Sequence, residues 1–371
     1  MFLRVKTDEG IVGYGESGED SRWGVGEALV NNWAKSVLIG SDPMETEKIL
    51  RKIWVEMRHF GRNGITMGTM SALDFALLDL KGKILNVPVY ELLGGKYRDR
   101  IRMYCDTAKP TGDSPENHIK VVREAVNMGF NALKIDLDTD YAERDTRGWE
   151  PYNLQVRNDE LKWMREVTSA IRDAAGNDVE LMVDLHGCYN TSSAIKIANA
   201  LEPYNLTWLE EPVPAENVDA MREVKKSTST PICAGENLYS AWGFKNLLEK
   251  QAVSVIEPDT SKCGGILETK RIAAMADLQY VPVAPHNTST PLGTIAGCHL
   301  CAAIPNFVSL EWHGARHESD PRWIEWSRFV NWQGPIIREG YITIPKKPGL
   351  GITLNEETCL EANPQAEALF R

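Results

Sequence analysis

From about residue 101 onward, short apolar runs alternate with longer amphipathic segments, and no other feature of the sequence constrains the fold as strongly. Eight of these runs have the character of strands: 102–105, 132–136, 180–184, 206–210, 231–236, 253–257, 280–284 and 307–311. Strands that alternate with helices pair in parallel through right-handed crossovers. Eight such strands favour a closed α/β barrel over an open doubly wound sheet.

The first hundred residues have a different pattern. Residues 2–7 and 11–16 are predicted to form a hairpin around a turn at Asp8-Glu9-Gly10, and residues 24–93 are mostly helical. Gly94-Gly95 marks the end of this part. We therefore expect a small α+β domain before the barrel, to which the chain returns from about residue 345.

Composition narrows the choice of partner and location. The 371 residues carry a net charge of −11, which argues against a general nucleic-acid binder. No run approaches the roughly 18 apolar residues of a membrane span, and no signal-peptide core is visible. The seven cysteines are an odd number and are expected to be free thiols in a reducing cytosol. We expect a cytoplasmic protein that binds neither nucleic acid nor membrane.

Three carboxylates end three successive predicted strands. Asp184, Glu210 and Glu236 each lie 26 residues from the next, about one strand–helix unit. Active sites of α/β barrels lie at the carboxyl ends of the strands, so these side chains are expected to converge. Like charges at close range repel, and a divalent cation relieves the repulsion. All-oxygen ligands favour Mg²⁺, or Mn²⁺, over zinc. The alternative is that each carboxylate caps the following helix.

Groups that could move protons lie beside these carboxylates. Lys134 is one strand before Asp184 in barrel order, and His286 follows the seventh strand. Asp259, after the sixth strand, is placed to accept a hydrogen bond from His286 and to orient its ring. The alternatives are a solvated lysine and a structural histidine. With a metal on the substrate carboxylate, the neighbouring carbon becomes acidic enough to lose its proton.

Four short motifs carry a resemblance to a known family: Leu92-Leu93-Gly94-Gly95, Leu209-Glu210-Glu211-Pro212, Gly235-Glu236-Asn237 and Pro348-Gly349-Leu350-Gly351. With them the chain resembles the mandelate racemase-like branch of the enolase superfamily along nearly its whole length. The resemblance implies an α/β fold, a modified (β/α)7β TIM-like barrel at 101–344. It also implies an α+β capping domain at 1–100, completed by about 345–371, and a homo-oligomer.

The resemblance also implies the metal and its ligands. Asp184, Glu210 and Glu236 match the residues that hold Mg²⁺, and by the same motif the ligand is Glu210 rather than Glu211. The expected substrate is a small carboxylate that binds at this metal.

Roles in proton transfer and substrate binding follow from the same match. Asp259 and His286 match the family's Asp–His dyad, with His286 as the base. Glu311 matches the acid that hydrogen-bonds the substrate carboxylate. Lys134 matches the first lysine of the Lys-x-Lys motif, which helps to hold that carboxylate.

Two positions depart from the racemase pattern. Asp136 stands where the second lysine, the other racemase base, is expected, and it becomes a candidate substrate contact. His186 lies two residues after Asp184 and so shares its face of the strand. This resembles the sugar-acid dehydratases of the family, in which such a histidine serves as acid for a departing hydroxyl. The alternative is a hydrogen bond from His186 to a metal ligand.

Two polar regions are candidates for substrate specificity. One is the long segment between the second and third strands, which is either a lid over the site or a solvated insertion. The other consists of loops of the small domain. The candidate contacts in these regions are Tyr141, Arg147, Arg22, Trp23 and Arg62.

The residues favour a dehydratase that acts on an aldonic acid. His286 would take the proton at C2, and His186 would assist departure of the C3 hydroxyl to give a 2-keto-3-deoxy acid. The alternative is a racemase or epimerase of an α-hydroxy acid, which needs two opposed bases. A third hypothesis is an inert metal-binding or scaffold protein on the same fold.

Overall fold

The computed structural model describes residues 1–18, 24–59, 61–107, 114–139, 141–148, 150, 152–313 and 327–362. Two predicted contacts, Arg22 and Trp23, lie outside the described residues, and so does the side chain of Tyr141. Within the described part, no helix is long and apolar enough to cross a membrane.

The chain begins with the expected hairpin, β1 (Phe2–Lys6) and β2 (Val12–Glu16), paired antiparallel. The helices that follow are α1 (Val25–Leu29), α2 (Lys35–Leu38), α3 (Thr46–Glu56), α4 (Ile65–Leu85) and α5 (Val89–Leu92), with a π-helical turn at Val30–Ala34 and 3₁₀ turns at Pro43–Glu45 and Met57–His59.

Glycines in β2 set how closely the hairpin packs on α4. A Cβ built at Gly13 would lie 2.2 Å from the Ala76 carbonyl oxygen, and one at Gly15 would lie 1.9 Å from the Ala72 carbonyl oxygen. Real side chains do not tolerate such distances, so β2 can approach the helix backbone only because these positions lack a side chain. The helix and the hairpin thereby form one compact layer.

The barrel strands run parallel and are hydrogen-bonded in chain order. They are β3 (Arg100–Asp106), β4 (Ala132–Asp136), β5 (Glu180–Asp184), β6 (Trp208–Glu210), β7 (Ile232–Ala234), β8 (Val255–Ile256) and β9 (Leu310–Trp312), and β9 pairs in parallel with β3. The helices between them are α6 (Pro115–Asn127), α7 (Tyr141–Thr146), α8 (Asn158–Ala175), α9 (Thr191–Leu201), α10 (Val218–Lys226), α11 (Ser240–Glu249), α12 (Ile266–Asp277) and α13 (Pro291–Ala302). A 3₁₀ turn, Glu202–Tyr204, follows α9. The predicted α/β barrel architecture is confirmed.

The predicted seventh strand is reduced to a bridge. Val283 pairs in parallel with Ile256 on one side and with Phe307 on the other, and this closes the ring. Pro282 has no N–H and contributes only its carbonyl, which accepts a hydrogen bond from the Ile256 N–H at 3.1 Å. Tyr280 has a φ of 55° and lies in a turn. A longer ladder cannot form here because proline and the turn interrupt it.

The last part of the chain contacts the small layer. Its elements are β10 (Val330–Asn331), β11 (Tyr341–Thr343), β12 (Thr353–Leu354) and α14 (Glu356–Ala362). The Leu350 N–H donates to Asp79 of α4 at 2.8 Å. Glu356 accepts from the Tyr14 hydroxyl at 2.7 Å and from Arg4 at 2.8 Å. These bonds join segments more than 250 residues apart in sequence.

Buried carboxylates of the small layer cap helices of the barrel. Glu16, at the end of β2, accepts from the backbone N–H groups of Thr290 and Gly293 at the start of α13, each at 2.8 Å. Asp74 of α4 accepts from the Ile266 N–H at the start of α12, at 2.5 Å. Free N–H groups at a helix start favour a carboxylate. Both contacts fix the small layer over the carboxyl ends of the barrel strands.

Candidate active site

The interior of the barrel contains a layer of buried side chains, and ionisable residues lie directly above it. The layer consists of Tyr104, Ala132, Met182, Trp208, Cys233, Val255 and Ala284. Side chains two apart on a strand share a face. The residue two positions after each member of this layer therefore also faces the barrel interior, nearer the carboxyl end of the strand. With the exception of Gly235, these positions hold ionisable residues: Asp106, Lys134, Asp184, Glu210, Glu257 and His286.

Lys134 is the buried cation of this group. Its side chain is 2% exposed, and its Nζ lies 2.8 Å from Glu210, 2.8 Å from Glu311 and 3.1 Å from Asp184. Burial alone lowers the pKa of Lys134, but the carboxylates of Glu210 and Glu311 outweigh it and hold this pKa well above its ordinary value. The interpretation of Lys134 as a solvated surface lysine is therefore wrong. The ammonium group draws together carboxylates from three strands.

His286 and Asp259 form a hydrogen-bonded dyad. Nδ1 of His286 lies 2.6 Å from Asp259, whose other oxygen accepts from the Ser261 N–H and hydroxyl, each at 2.7 Å. Nε2 of His286 faces Glu236 at 2.7 Å. Burial lowers the pKa of His286, but Glu236 and Glu311 raise it, and the result lies well above the ordinary value. The ring is therefore held with Nε2 towards the carboxylates.

The three predicted metal ligands occupy two places in the site. Asp184 and Glu210 are directly opposite each other in the register of β5 and β6, and both contact Lys134. Glu236 lies two residues past the end of β7 and contacts His286 instead. The structure thus brings two of the three together and places the third against the dyad.

The donor set fits a divalent cation. Oδ2 of Asp184 has the Lys134 ammonium at 3.1 Å but accepts no well-aligned hydrogen bond among the described residues, and the buried Glu257 shares a hydrogen bond with another carboxyl group, that of Glu210. Burial, followed by the charge of Asp184, raises the pKa of Glu210 well above its usual range. Burial likewise raises the pKa of Glu257 to about 8. Several buried carboxylates without enough hydrogen-bond donors match a hard cation that prefers oxygen ligands.

His186 lies at the mouth of the barrel beside a predicted metal ligand. Its backbone N–H donates to Asp184 at 2.8 Å, and its ring Nε2 lies 3.5 Å from the same carboxylate. Nδ1 lies 3.3 Å from Asp138, and 41% of the side chain is exposed. Burial lowers the pKa of His186, but Asp184 and the bond to Asp138 raise it to about 10. A protonated, partly exposed ring can donate a proton to a ligand in the mouth.

Asp136 lies next to these groups. It is opposite Asp184 in the register of β4 and β5, and its buried Oδ1 accepts no hydrogen bond among the described residues. Burial raises the pKa of Asp136 well above its usual range, and the charge of Asp106 raises it further. An unsatisfied acceptor at the mouth is a suitable place for a substrate hydroxyl.

The polar insertion after β4 is anchored by a buried arginine. Arg144 donates to the carbonyl oxygens of Thr139 at 2.8 Å and Gln155 at 2.9 Å, and it lies 3.4 Å from Glu160. Its guanidinium also lies over the ring of Tyr189, 5.1 Å from the centroid. The segment is therefore attached to the barrel through a desolvated charge.

Two of the predicted specificity residues already contact nearby residues of the chain. Arg147 donates to Glu143 one turn earlier in the insertion. Arg62 donates to the Trp54 carbonyl at 3.2 Å and lies over its ring, 4.4 Å from the centroid. Substrate contact by either arginine stays a prediction.

Sequence reasoning missed four ionisable groups of the mouth: Asp106, Asp138, Glu257 and His313. Asp106 ends β3, Glu257 follows β8, and His313 follows β9. The same rule that selected the metal ligands, a polar residue at a strand end, would have selected these residues.

The comparisons with known proteins agree with this geometry. Residues 118–358 match the family described as Enolase C-terminal domain-like, and residues 1–94 match the Mandelate racemase / muconate lactonizing enzyme, N-terminal domain. A D-xylonate dehydratase from Haloferax volcanii is 37% identical over 100% of this chain and 87% of its own length. A D-galactonate dehydratase from Pectobacterium atrosepticum is 33% identical over 99% of this chain and 91% of its own length.

Solved structures give the same result. A mandelate racemase/muconate lactonizing enzyme-like protein from Rubrobacter xylanophilus superposes with a TM-score of 0.89 at 40% identity, over 97% of this chain and 93% of that chain. A member of the enolase superfamily from Salmonella Typhimurium superposes with a TM-score of 0.83 at 34% identity, over 96% of this chain and 92% of that chain. Members of this superfamily use a divalent metal, which the carboxylates of the site can bind.

Proposed function

Because this chain belongs to the enolase superfamily, in its mandelate racemase/muconate lactonizing enzyme family, we propose that it dehydrates an aldonic acid to a 2-keto-3-deoxy acid. Relatives named D-xylonate and D-galactonate dehydratase support a hydro-lyase reaction on a sugar acid. One observation carries the proposal within the site: two histidines, His286 with its Asp259 partner and His186 at the mouth, adjoin the same carboxylate cluster from different strands.

The substrate carboxylate binds among the ionisable residues directly above the buried layer. Lys134 supplies the positive charge and Glu311 a hydrogen-bond partner, and they lie 2.8 Å apart. Asp184, Glu210 and Glu236 would hold a divalent cation, which we propose is Mg²⁺. When bound, the cation would neutralise the negative charge that develops on the carboxylate as the C2 proton leaves.

His286 takes the C2 proton at Nε2. Asp259 holds Nδ1 at 2.6 Å, so the ring cannot turn and the positive charge that forms on it is stabilised. In the structure Nε2 faces Glu236. With a cation bound, Glu236 would no longer stabilise a proton on Nε2 of His286. This nitrogen could then act as a base.

His186 completes the elimination. It donates its proton to the C3 hydroxyl, the C3–O bond breaks as the electrons of the C2–H bond form the C2–C3 double bond, and water leaves. The resulting enol takes a proton at C3 and becomes the 2-keto-3-deoxy acid. Racemisation needs a second base opposite His286. Asp136 stands where the family has that lysine, and its short carboxyl side chain is a poor replacement for a lysine base, which disfavours the racemase alternative.

The test is proton NMR of sugar acids incubated with the protein and Mg²⁺ in D2O. We expect the wild type to remove the C2 proton and to produce a 3-deoxy methylene. His286→Asn should lose both signals. His186→Asn should slow elimination by about 10²- to 10⁴-fold, because a general acid contributes that much, while C2 exchange persists.

A matched control is His59→Asn, since His59 is an exposed histidine of the small layer. It should leave both rates unchanged. Exchange and elimination that survive together in His186→Asn would show that His186 is not the acid. Exchange with inversion at C2 and no methylene would indicate a racemase.

The proposal extends to location and assembly. We propose a cytoplasmic protein, which its seven free cysteines support, and a homo-oligomer, as family resemblance implies, without a nucleic-acid partner. The net charge of −11 supports the last point, because it repels a phosphate backbone.

A further inference from the structure

A second histidine–carboxylate pair lies at the junction of the first and last barrel strands. Cys105 of β3 is opposite Trp312 of β9, so the next residues, Asp106 and His313, are neighbours across the seam. Nδ1 of His313 is hydrogen-bonded to Asp106 Oδ2. The side chain of Asp106 is 5% exposed and that of His313 is 24% exposed. The buried carboxylate therefore fixes the ring, and its Nε2 edge faces away from Asp106.

The pair lies above the place proposed for the substrate carboxylate. Glu311 is two residues before His313, is 1% exposed and lies 2.8 Å from Lys134. Two residues along a strand advance roughly 6.6 Å, so the His313 backbone is nearer the mouth than that of Glu311. Ligand atoms of Asp106, Glu311 and His313 all lie within 4.8 Å of one another. A substrate held at Glu311 therefore extends outward past His313.

Hydrogen bonding suits this group better than a second metal. Glu311 already contacts the Lys134 ammonium at 2.8 Å and accepts from the Asn287 N–H at 2.9 Å. The Asp106 carboxylate is already engaged by the His313 ring. An imidazole held by a carboxylate is a directed partner for a hydroxyl, as donor or as acceptor.

We propose that His313 binds a hydroxyl of the substrate beyond C3, with Asp106 as its positioning residue, and that this contact selects polyhydroxylated acids. The inference rests on the proposed dehydratase function and adds the specificity determinant. A site built to hydrogen-bond a hydroxyl discriminates strongly against an analogue that lacks it, because its polar group is then left without a partner.

The experiment compares two substrates that differ only in the distal hydroxyls: D-xylonate and 2,3-dihydroxypentanoate. Both have the C2 proton and the C3 hydroxyl that the reaction needs. We expect His313→Phe, which keeps a ring but loses both nitrogens, to lower kcat/KM for D-xylonate by about 10- to 100-fold, the range for loss of one hydrogen bond in a desolvated site. For 2,3-dihydroxypentanoate the change should stay below about twofold.

Asp106→Asn should also lower kcat/KM for D-xylonate, because the His313 ring is then held less firmly. Combined with His313→Phe it should add nothing, because Asp106 acts through His313. His313→Gln, which keeps a donor and an acceptor, should recover part of the activity, and it replaces the phenylalanine variant if that variant does not fold.

The outcomes separate the two proposals. A wild type that dehydrates neither these nor other sugar acids overturns the proposed function and this inference with it. A wild type that dehydrates D-xylonate, with His313→Phe equally impaired on both substrates, leaves the function intact and overturns the specificity role. Unchanged kcat/KM for D-xylonate in His313→Phe also overturns it.

Discussion

His299 allows a quantitative prediction of how stability depends on pH. It lies in α13 with no exposed surface, and both ring nitrogens are engaged across the junction between the barrel and the small layer. Nδ1 accepts from the Tyr90 N–H at 3.3 Å, and Nε2 donates to the Leu350 carbonyl at 3.0 Å. Only the neutral ring makes both bonds. Burial accordingly lowers the pKa of His299 from 6.5 to about 4.

The sign follows from proton linkage. Between pH 4 and 6.5 the unfolded chain binds a proton at His299 and the folded chain does not, so stability falls as the pH falls. The stabilisation by the neutral His299 ring is fully present above pH 6.5, the pKa in the unfolded chain. It is lost progressively as the pH falls towards about 4, the pKa in the folded chain. The two pKa values give a loss of about 2 kcal/mol between pH 7.5 and 5, and about 3 kcal/mol by pH 4.

The assay is urea unfolding of wild type and His299→Gln at pH 7.5 and 5, after reversibility has been established. At pH 7.5 the variant should be less stable by about 1–3 kcal/mol, because the flexible amide does not hold its acceptor at the Tyr90 N–H and its donor at the Leu350 carbonyl as the rigid ring does. Other buried acids titrate equally in both proteins, so the difference in pH dependence isolates His299. The wild type should lose about 2 kcal/mol more than the variant on acidification. Equal losses in the two proteins would refute the buried neutral ring.

Two further predictions concern the metal and the packing of the hairpin. Mg²⁺ at about 100 times its Kd should stabilise the wild type by about 2.7 kcal/mol in a thermal-unfolding assay, and Asp184→Asn should abolish most of that gain; an equal gain in the variant would argue against Asp184 as a ligand. Gly15→Ala should destabilise the protein by about 1–3 kcal/mol or more, because its Cβ would meet the Ala72 carbonyl oxygen at 1.9 Å. The control Gly243→Ala lies inside α11, with its nearest neighbour at 3.5 Å, and should be neutral or mildly stabilising. Equal effects at the two glycines would show that close packing of β2 on α4 is not the cause.

Local patterns in the sequence were sufficient for much of the barrel. The predicted strand bounds 132–136 and 180–184 agree with β4 and β5. The regular spacing of strand-end carboxylates predicted that Asp184, Glu210 and Glu236 converge; Asp184 and Glu210 do lie opposite each other, whereas Glu236 contacts His286. The failure at the seventh strand has a local cause that was visible as Pro282. An apolar run predicts burial, but only a free N–H allows a residue to extend a ladder.

The sequence by itself determined which face each strand residue occupies, because alternation along a strand is a local property of the backbone. It thereby determined the fold class and the layer of charges at the strand ends. Tertiary structure decided which charges meet. Asp106 and His313 are 207 residues apart and become partners only because ring closure joins β3 to β9. Lys134 likewise neutralises carboxylates of three other strands at once, since burial makes an unpaired charge costly and ring closure brings these three carboxylates within 3.1 Å of its ammonium group.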